Sequence, residues 1–304
     1  MKKGILFFLV IINSVILNAQ DYKLVWEDHF DKPQLNETHW TVVKSGEGGG
    51  NGELQYYRRE NISVGREPET GADCLIITAK KEKYWNWNCT SGRLSTQNKI
   101  TFKYGKVEAR IKLPKTADGL WPAFWMLGMD YPKSIWPKCG EIDIMEMGSK
   151  KGIVAKAQDR YFSGACHWGE DFNGGSYPNK GKATINPYCL QDDFHLYTLI
   201  WDENFVRMYL DLDKYPEVKP YFEMPIIGND EPNTTSHYFR KEFFIIFNLA
   251  VGGSFSQITD IDKVTALKSG EAKMYVDYIR VYQRGEKNEV FKQLISPTTN
   301  IVKN

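Results

Sequence analysis

Between Gly140 and Gly148 the chain reads Gly-Glu-Ile-Asp-Ile-Met-Glu-Met-Gly, which places Glu141, Asp143 and Glu146 within six residues of an otherwise apolar stretch. An ionised carboxyl beside a packed sheet loses hydration, so it persists there only when it is paired or put to use. On a regular extended strand Glu141 and Asp143 share one face while Glu146 points to the other. One extra residue around Ile144 or Met145, a β-bulge, restores the phase and turns all three to one side. Asp143 then stands between two glutamates, where its proton or charge adjusts both. Two carboxyls so placed can cleave a glycosidic bond. With about 5–5.5 Å between the outer pair, one attacks the anomeric carbon while the other protonates the leaving oxygen, and configuration is retained. That chemistry asks for a raised pKa on Glu146 and a lower one on Glu141. The competing reading is an exposed strand face whose acids pair with Lys or Arg.

Context weighs against the competing reading. Just upstream, Gly119 to Gly128 carries Trp121 and Trp125 four residues apart, hence on one face of a regular strand. A sugar ring offers an apolar face of C–H groups that stacks on indole while its hydroxyls take side-chain hydrogen bonds. Core packing is the alternative for such a pair, and the neighbouring carboxylates favour the sugar. The whole chain is rich in rings, 14% aromatic, with 9 Trp, 17 Tyr and 16 Phe. Such a content suits a site for flat ligands.

The elements that must position these residues are strands. From Lys106 to Leu113 the sequence alternates without a fault, placing Val107, Ala109, Ile111 and Leu113 on one face and charges on the other. Similar runs rich in β-branched and aromatic residues occur at 75–79, 140–147, 196–201, 206–210, 243–251 and 274–282. Gly, Asn, Asp and Pro clusters at 46–52, 173–182 and 228–233 separate them. No helix of ten or more residues is expected, so the chain reads as an all-β sandwich.

Lys2 and Lys3 precede an apolar run from Ile5 to Ile12, and a second run leads to Ala19, so residues 1–20 read as a signal peptide. A secreted or periplasmic protein follows. Residues 21–284 form one catalytic domain, and 285–304 a polar tail, expected as a short helix or unordered. The net charge is +1, which leaves no electrostatic case for a nucleic-acid partner, and nothing after the leader predicts a membrane partner. Five cysteines, Cys74, Cys89, Cys139, Cys166 and Cys189, show no CxxC spacing, so thiolate metal chemistry has no support and at most two disulfides can form.

The stretch Glu141-Ile-Asp143-Ile-Met-Glu146 resembles the E-x-D-x-x-E signature of glycoside hydrolase family 16, in the version with the extra bulge residue. Asn51 to Tyr57, Ser91 to Thr96, Trp121 to Gly128 and Asn248 to Gly253 are similar to its laminarinase-like branch, and the likeness runs from about Leu24 to Tyr282. The resemblance implies a concanavalin-like β-jelly-roll sandwich of two antiparallel sheets whose concave sheet forms a glycan cleft. It implies retaining endo-hydrolysis of a β-glucan, with Glu141 as nucleophile, Asp143 as assistant and Glu146 as acid/base.

It further assigns Trp121 and Trp125 to stacking on the non-reducing side of the cut, with Asn51 and Arg93 holding hydroxyls there. Asn248 joins the substrate-binding set, and His167 falls near the leaving-group sugar. One departure is Trp168, which stands after His167 where the branch carries Tyr. Catalysis needs no cofactor, but the resemblance implies a structural calcium away from the cleft, with Asp277, Glu27 and the backbone carbonyl of Gly71 as ligands. A β-1,3-glucan is the expected partner and substrate of a monomer. A mixed-linkage β-1,3-1,4-glucan is the alternative, and a non-catalytic β-glucan-binding lectin is the rival from another class.

Overall fold

The faultless alternation at 106–113 becomes the strand Gly105–Lys112, in which Val107, Ala109 and Ile111 are fully buried. Its charged face is satisfied laterally: the Lys106 ammonium reaches Glu108 at 2.6 Å and the Arg110 guanidinium reaches Asp277 at 2.5 Å. The computed structural model describes residues 21–172 and 177–294, so the leader reading at 1–20 lies outside the described residues.

Two sheets face each other across one core. In the ten-stranded sheet the order is Phe222–Pro225, Phe205–Leu210, His195–Trp201, Gly105–Lys112, Glu271–Gln283, Asp73–Lys80, Thr90–Ser91 and Tyr56–Tyr57. Lys23–Asp28 adds to Glu271–Gln283, and Ile62–Arg66 to Asp73–Lys80. In the nine-stranded sheet the order is Asn179–Ile185, Tyr161–His167, Glu141–Met147, Leu120–Gly128, Phe243–Val251, Arg93–Ser95 and Thr41–Val42. Pairing is antiparallel except between Tyr56–Tyr57 and Thr90–Ser91, which run parallel. The architecture is the expected all-β jelly-roll sandwich. Among the described residues the two α-helices, Lys150–Val154 and Thr235–Phe239, have five residues each, and no helix is long and apolar enough to cross a membrane.

The strand Phe243–Val251 is buried along its whole length. That fits its sequence, apolar except for Asn248: it is a central strand, paired with Leu120–Gly128 on one edge and with Arg93–Ser95 on the other. The tail differs from expectation. Val290–Gln293 is neither helix nor unordered but a strand on Ile100–Lys103, because a free strand edge can pair with any extended segment that reaches it. All five cysteines are free thiols, four of them buried, as the large core makes bridges unnecessary.

Candidate active site

Gly140 and Gly148, at φ of +74° and +100°, bracket the strand that bears the three acids. A side chain at Gly148 would drive its Cβ to 1.8 Å from the Leu120 carbonyl oxygen, so only glycine lets the neighbouring strand close there. Between them, Ile142, Ile144, Met145 and Met147 all point into the core. Two consecutive inward residues, Ile144 and Met145, mark the bulge. Against Leu120–Gly128, Met145 pairs with Phe124 and Asp143 with Trp125, leaving Ile144 unmatched. On the other flank Asp143 pairs with Ala165 and Glu146 with Ser163, so three steps on one strand face two on its partner. The Ile144 carbonyl accepts a hydrogen bond from the buried Tyr221 hydroxyl, which satisfies a bulge oxygen from beneath. Glu141, Asp143 and Glu146 therefore share the face turned away from the core.

Their surroundings are aromatic and sparing in charge. The Trp121 indole N–H donates to Oε1 of Glu146 at 3.0 Å. His167, opposite Glu141 in register, brings Nε2 to 3.2 Å from Oδ2 of Asp143 and 4.0 Å from Oε1 of Glu141. The shorter contact is close enough for an ion pair yet off the hydrogen-bond direction, so Oδ2 has no hydrogen-bond partner. Burial pushes Glu141 well above the usual carboxylate range, and the neighbouring Asp143 charge adds to the push against partial relief from His167 and Arg93. Burial also lifts Asp143 to about 8. Glu146 likewise rises to about 8, through burial first and then the Asp143 charge, with the Trp121 hydrogen bond and His167 opposing.

Burial therefore raises both glutamates in the free site, not Glu146 alone. Three carboxyls packed this closely hold protons between them, and Glu141 and Asp143 titrate together. The donor atoms of Glu141, Asp143 and His167 lie within 4.8 Å of one another, a spacing that a metal ion would also fit.

The remaining predicted contacts lie on the same sheet. Ala123 pairs with Glu146 on one side and Asn248 on the other, and Asn248 pairs in turn with Arg93. This lateral row crosses three strand gaps, about 14 Å. Trp125 donates its indole N–H to Oδ1 of Asn248 at 2.6 Å, and the Arg93 guanidinium lies 4.8 Å from the centre of a Trp125 ring. Nε of Arg93 is buried without a hydrogen-bond partner. Asn51 is exposed on its loop, and its carbonyl accepts from Ser254 N at 2.8 Å. Trp168 packs toward the core against Phe239, so the departure from the branch pattern falls beneath the sheet rather than beside the acids.

Several residues at the site escaped sequence reasoning. Phe255 stacks on Trp121 at 4.6 Å and 17°. Trp136 and Tyr177 surround His167, with ring centres 6.2 and 5.6 Å from it, and 4.7 Å from each other. Glu53 accepts from Gln55 at 2.6 Å and from the Tyr57 hydroxyl at 2.8 Å, and that hydroxyl accepts from Asn248 at 3.2 Å. All come from loops or from another strand, where no periodicity points at the acids.

The calcium set is divided. Glu27 places one carboxylate oxygen, Oε2, on His29 at 2.7 Å and on Arg280 at 3.2 Å. Val276 pairs with Leu75 and Ile279 with Asp28, so Asp277 sits where one edge of its strand changes partner. By the same register it falls opposite Cys74, near the Gly71 turn. Hard oxygens at that junction fit the ion's chemistry, although one Asp277 oxygen already meets Arg110.

Residues 56–235 match the family described as Glycosyl hydrolases family 16. The β-glucanase of Rhodothermus marinus is 34% identical over 269 residues, covering 87% of this chain and 86% of its own. A Bacteroides ovatus family 16 structure from a mixed-linkage glucan PUL, in complex with a G4G4G3G product, superposes with a TM-score of 0.74 at 38% identity, covering 85% of this chain and all of that one. The laminarinase catalytic domain of Thermotoga petrophila gives 0.67 at 33% identity, covering 88% and 100%. Some curated relatives are longer: the chain spans 34% of the clotting factor G alpha subunit of Tachypleus tridentatus, to which it is 33% identical over 86% of its own length. With its bulged strand, its three outward acids and these likenesses, the chain belongs to glycosyl hydrolase family 16 and is similar to the laminarinase-like members of that family.

Proposed function

We propose that this glycoside hydrolase is a retaining endo-β-1,3-glucanase working by double displacement, with Glu141 as nucleophile, Glu146 as acid/base and Asp143 as assistant. The observation that carries the reading is the bulge at Ile144 and Met145, which turns Glu141, Asp143 and Glu146 to one face. Glu146, with a pKa of about 8, holds its proton at neutral pH, as the acid that protonates the leaving oxygen must. Glu141 attacks the anomeric carbon as that bond breaks, forming a glycosyl ester. Water then attacks the ester while Glu146, now ionised, takes its proton. Asp143 supports both steps by sharing a single proton with Glu141, holding it while Glu141 acts as nucleophile and returning it when the carboxylate is released.

Trp121 and Trp125 offer indole faces to the sugars before the cut, Arg93, Asn248 and Asn51 offer hydroxyl partners, and His167 lies toward the leaving sugar. The N-terminal leader makes the protein secreted or periplasmic, and it acts as a monomer. Calcium at the Asp277–Gly71 junction belongs to the same proposal, as a stabilising ion without a part in the chemistry.

A mixed-linkage β-1,3-1,4-glucan is the second reading, favoured by the product bound in the Bacteroides ovatus neighbour. Release of reducing ends from laminarin and from barley β-glucan, followed over time, ranks the two. Proton NMR of the first-formed anomer tests retention. Absence of hydrolysis with retained binding of either glucan would make the protein a lectin and overturn the enzyme reading.

A further inference from the structure

Tyr84 and Trp87 exchange both backbone hydrogen bonds at 2.9 Å, closing a tight hairpin with Trp85 and Asn86 at its tip. Trp85 is 70% exposed and adopts a left-handed backbone, φ +50°. Both features are unfavourable for an indole, which gains by burial and is strained at positive φ, and neither serves the core. The ring is nonetheless braced. It stacks on Tyr84 at 5.2 Å and 13°. Behind Tyr84 lie Tyr56 at 4.9 Å and the Arg58 guanidinium at 4.3 Å.

The hairpin is joined to the active-site face by direct contacts. Trp87 packs on Gly46 and donates its indole N–H to the Gly46 carbonyl at 3.1 Å. Gly46 opens the loop that carries Asn51, whose carbonyl holds Ser254, the residue before the Phe255 that stacks on Trp121. From Trp87 the chain runs through Thr90–Ser91 directly to Arg93, which ends the lateral row that starts at Glu146. At the base of the same hairpin Lys81, Glu82, Lys83 and Asn88 line an open hollow of about 400 Å³ with Ile261 and Asp262.

We propose that Trp85, braced by Tyr84, is a distal stacking platform for the substrate's own glucan chain, beyond Asn51 and Arg93 on the side away from His167. A β-glucan long enough to pass Arg93 lays the C–H face of a sugar on the outer indole surface, and the polar hollow beside it takes hydroxyls. Short oligosaccharides end before reaching it. The platform makes the protein selective for chain length, and this inference rests on the glucanase reading.

The test compares KM for laminarihexaose with KM for laminaritriose in the parent protein, Trp85→Ala and Trp85→Phe. Loss of one stacking face raises the hexaose-to-triose KM ratio about three- to tenfold in Trp85→Ala, and Trp85→Phe restores most of it. The same ratio taken from dissociation constants by calorimetry, on a Glu141→Ser background, separates binding from turnover. An unchanged ratio in Trp85→Ala overturns the platform and leaves the glucanase reading standing. A parent protein inert on both oligosaccharides removes the β-1,3-glucanase reading and the platform with it.

Discussion

Replacing Trp121 by Phe isolates one hydrogen bond at the proposed acid. The indole N–H donates to Oε1 of Glu146 at 3.0 Å, and a bond to the charged form favours ionisation, so it opposes the burial that lifts this carboxyl to about 8. Phe keeps a flat ring against Phe255, now stacked at 4.6 Å, and removes only the donor. A hydrogen bond to a charged group contributes about 1.5–3 kcal/mol, and the neutral carboxyl retains part of it. A remaining difference of roughly 0.7–1.4 kcal/mol between the two protonation states corresponds to about 0.5–1 pKa unit. Its loss moves the Glu146 pKa upward, so the acid stays protonated to higher pH. The basic limb of the kcat/KM profile, which reports the free enzyme's acid, then shifts up by that amount. Initial rates on laminarin well below KM, measured for both proteins from about pH 5 to pH 10, read the limb directly. A limb that stays in place or moves down in a variant whose Tm matches the parent would show that Glu146 is not the titrating acid or that the bond does not act on it.

Glu141→Ser is expected to lower kcat on β-glucan by on the order of 10⁴ or more while calorimetry still detects oligosaccharide binding; activity near the parent's would remove Glu141 from the role of nucleophile. The three acids titrate higher in the folded chain than their unfolded values near 4. The folded state therefore binds more protons between about pH 4.5 and pH 8, and the stability they contribute is lost as pH rises through that window. Their contribution makes Tm higher near pH 5 than near pH 8, and Glu146→Gln flattens the gradient; a gradient unaltered by that change refutes the assignment. Asn248→Ala leaves the Trp125 indole N–H without its acceptor and is expected to cost about 1–3 kcal/mol of stability in urea titration, together with a raised KM; a neutral outcome in both would show that the bond does not hold Trp125. Chelation by EGTA is expected to lower Tm, with calcium restoring it in the parent and not in Asp277→Asn; a Tm indifferent to chelator speaks against an ion at that junction.

The alternation at 106–113, the apolar run at 243–251 and the triple carboxylate made the sandwich and its acidic strand legible before any coordinates. Each is a local pattern whose physical cause lies within a few residues of chain: period two buries one face, and an expensive cluster of charge demands a use. Even the bulge follows from counting, since only one added residue puts Glu146 beside Asp143.

Other features depend on residues far apart in the chain. Phe255, Trp136 and Tyr177 sit on loops without periodicity, and nothing local aims them at Trp121 or His167. The Glu53–Tyr57–Asn248–Trp125 chain joins three distant segments. The tail strand exists because the edge at Ile100–Lys103 is free to receive it. The proton affinity of Glu141 is of the same kind: burial raises it together with Glu146, and it depends on how much water and positive charge the packed sheet leaves around it. Composition and spacing can name the groups that react, because those are properties of the chain. Their proton affinities and their aromatic walls belong to the fold, because dielectric and distance are set only when separate strands meet.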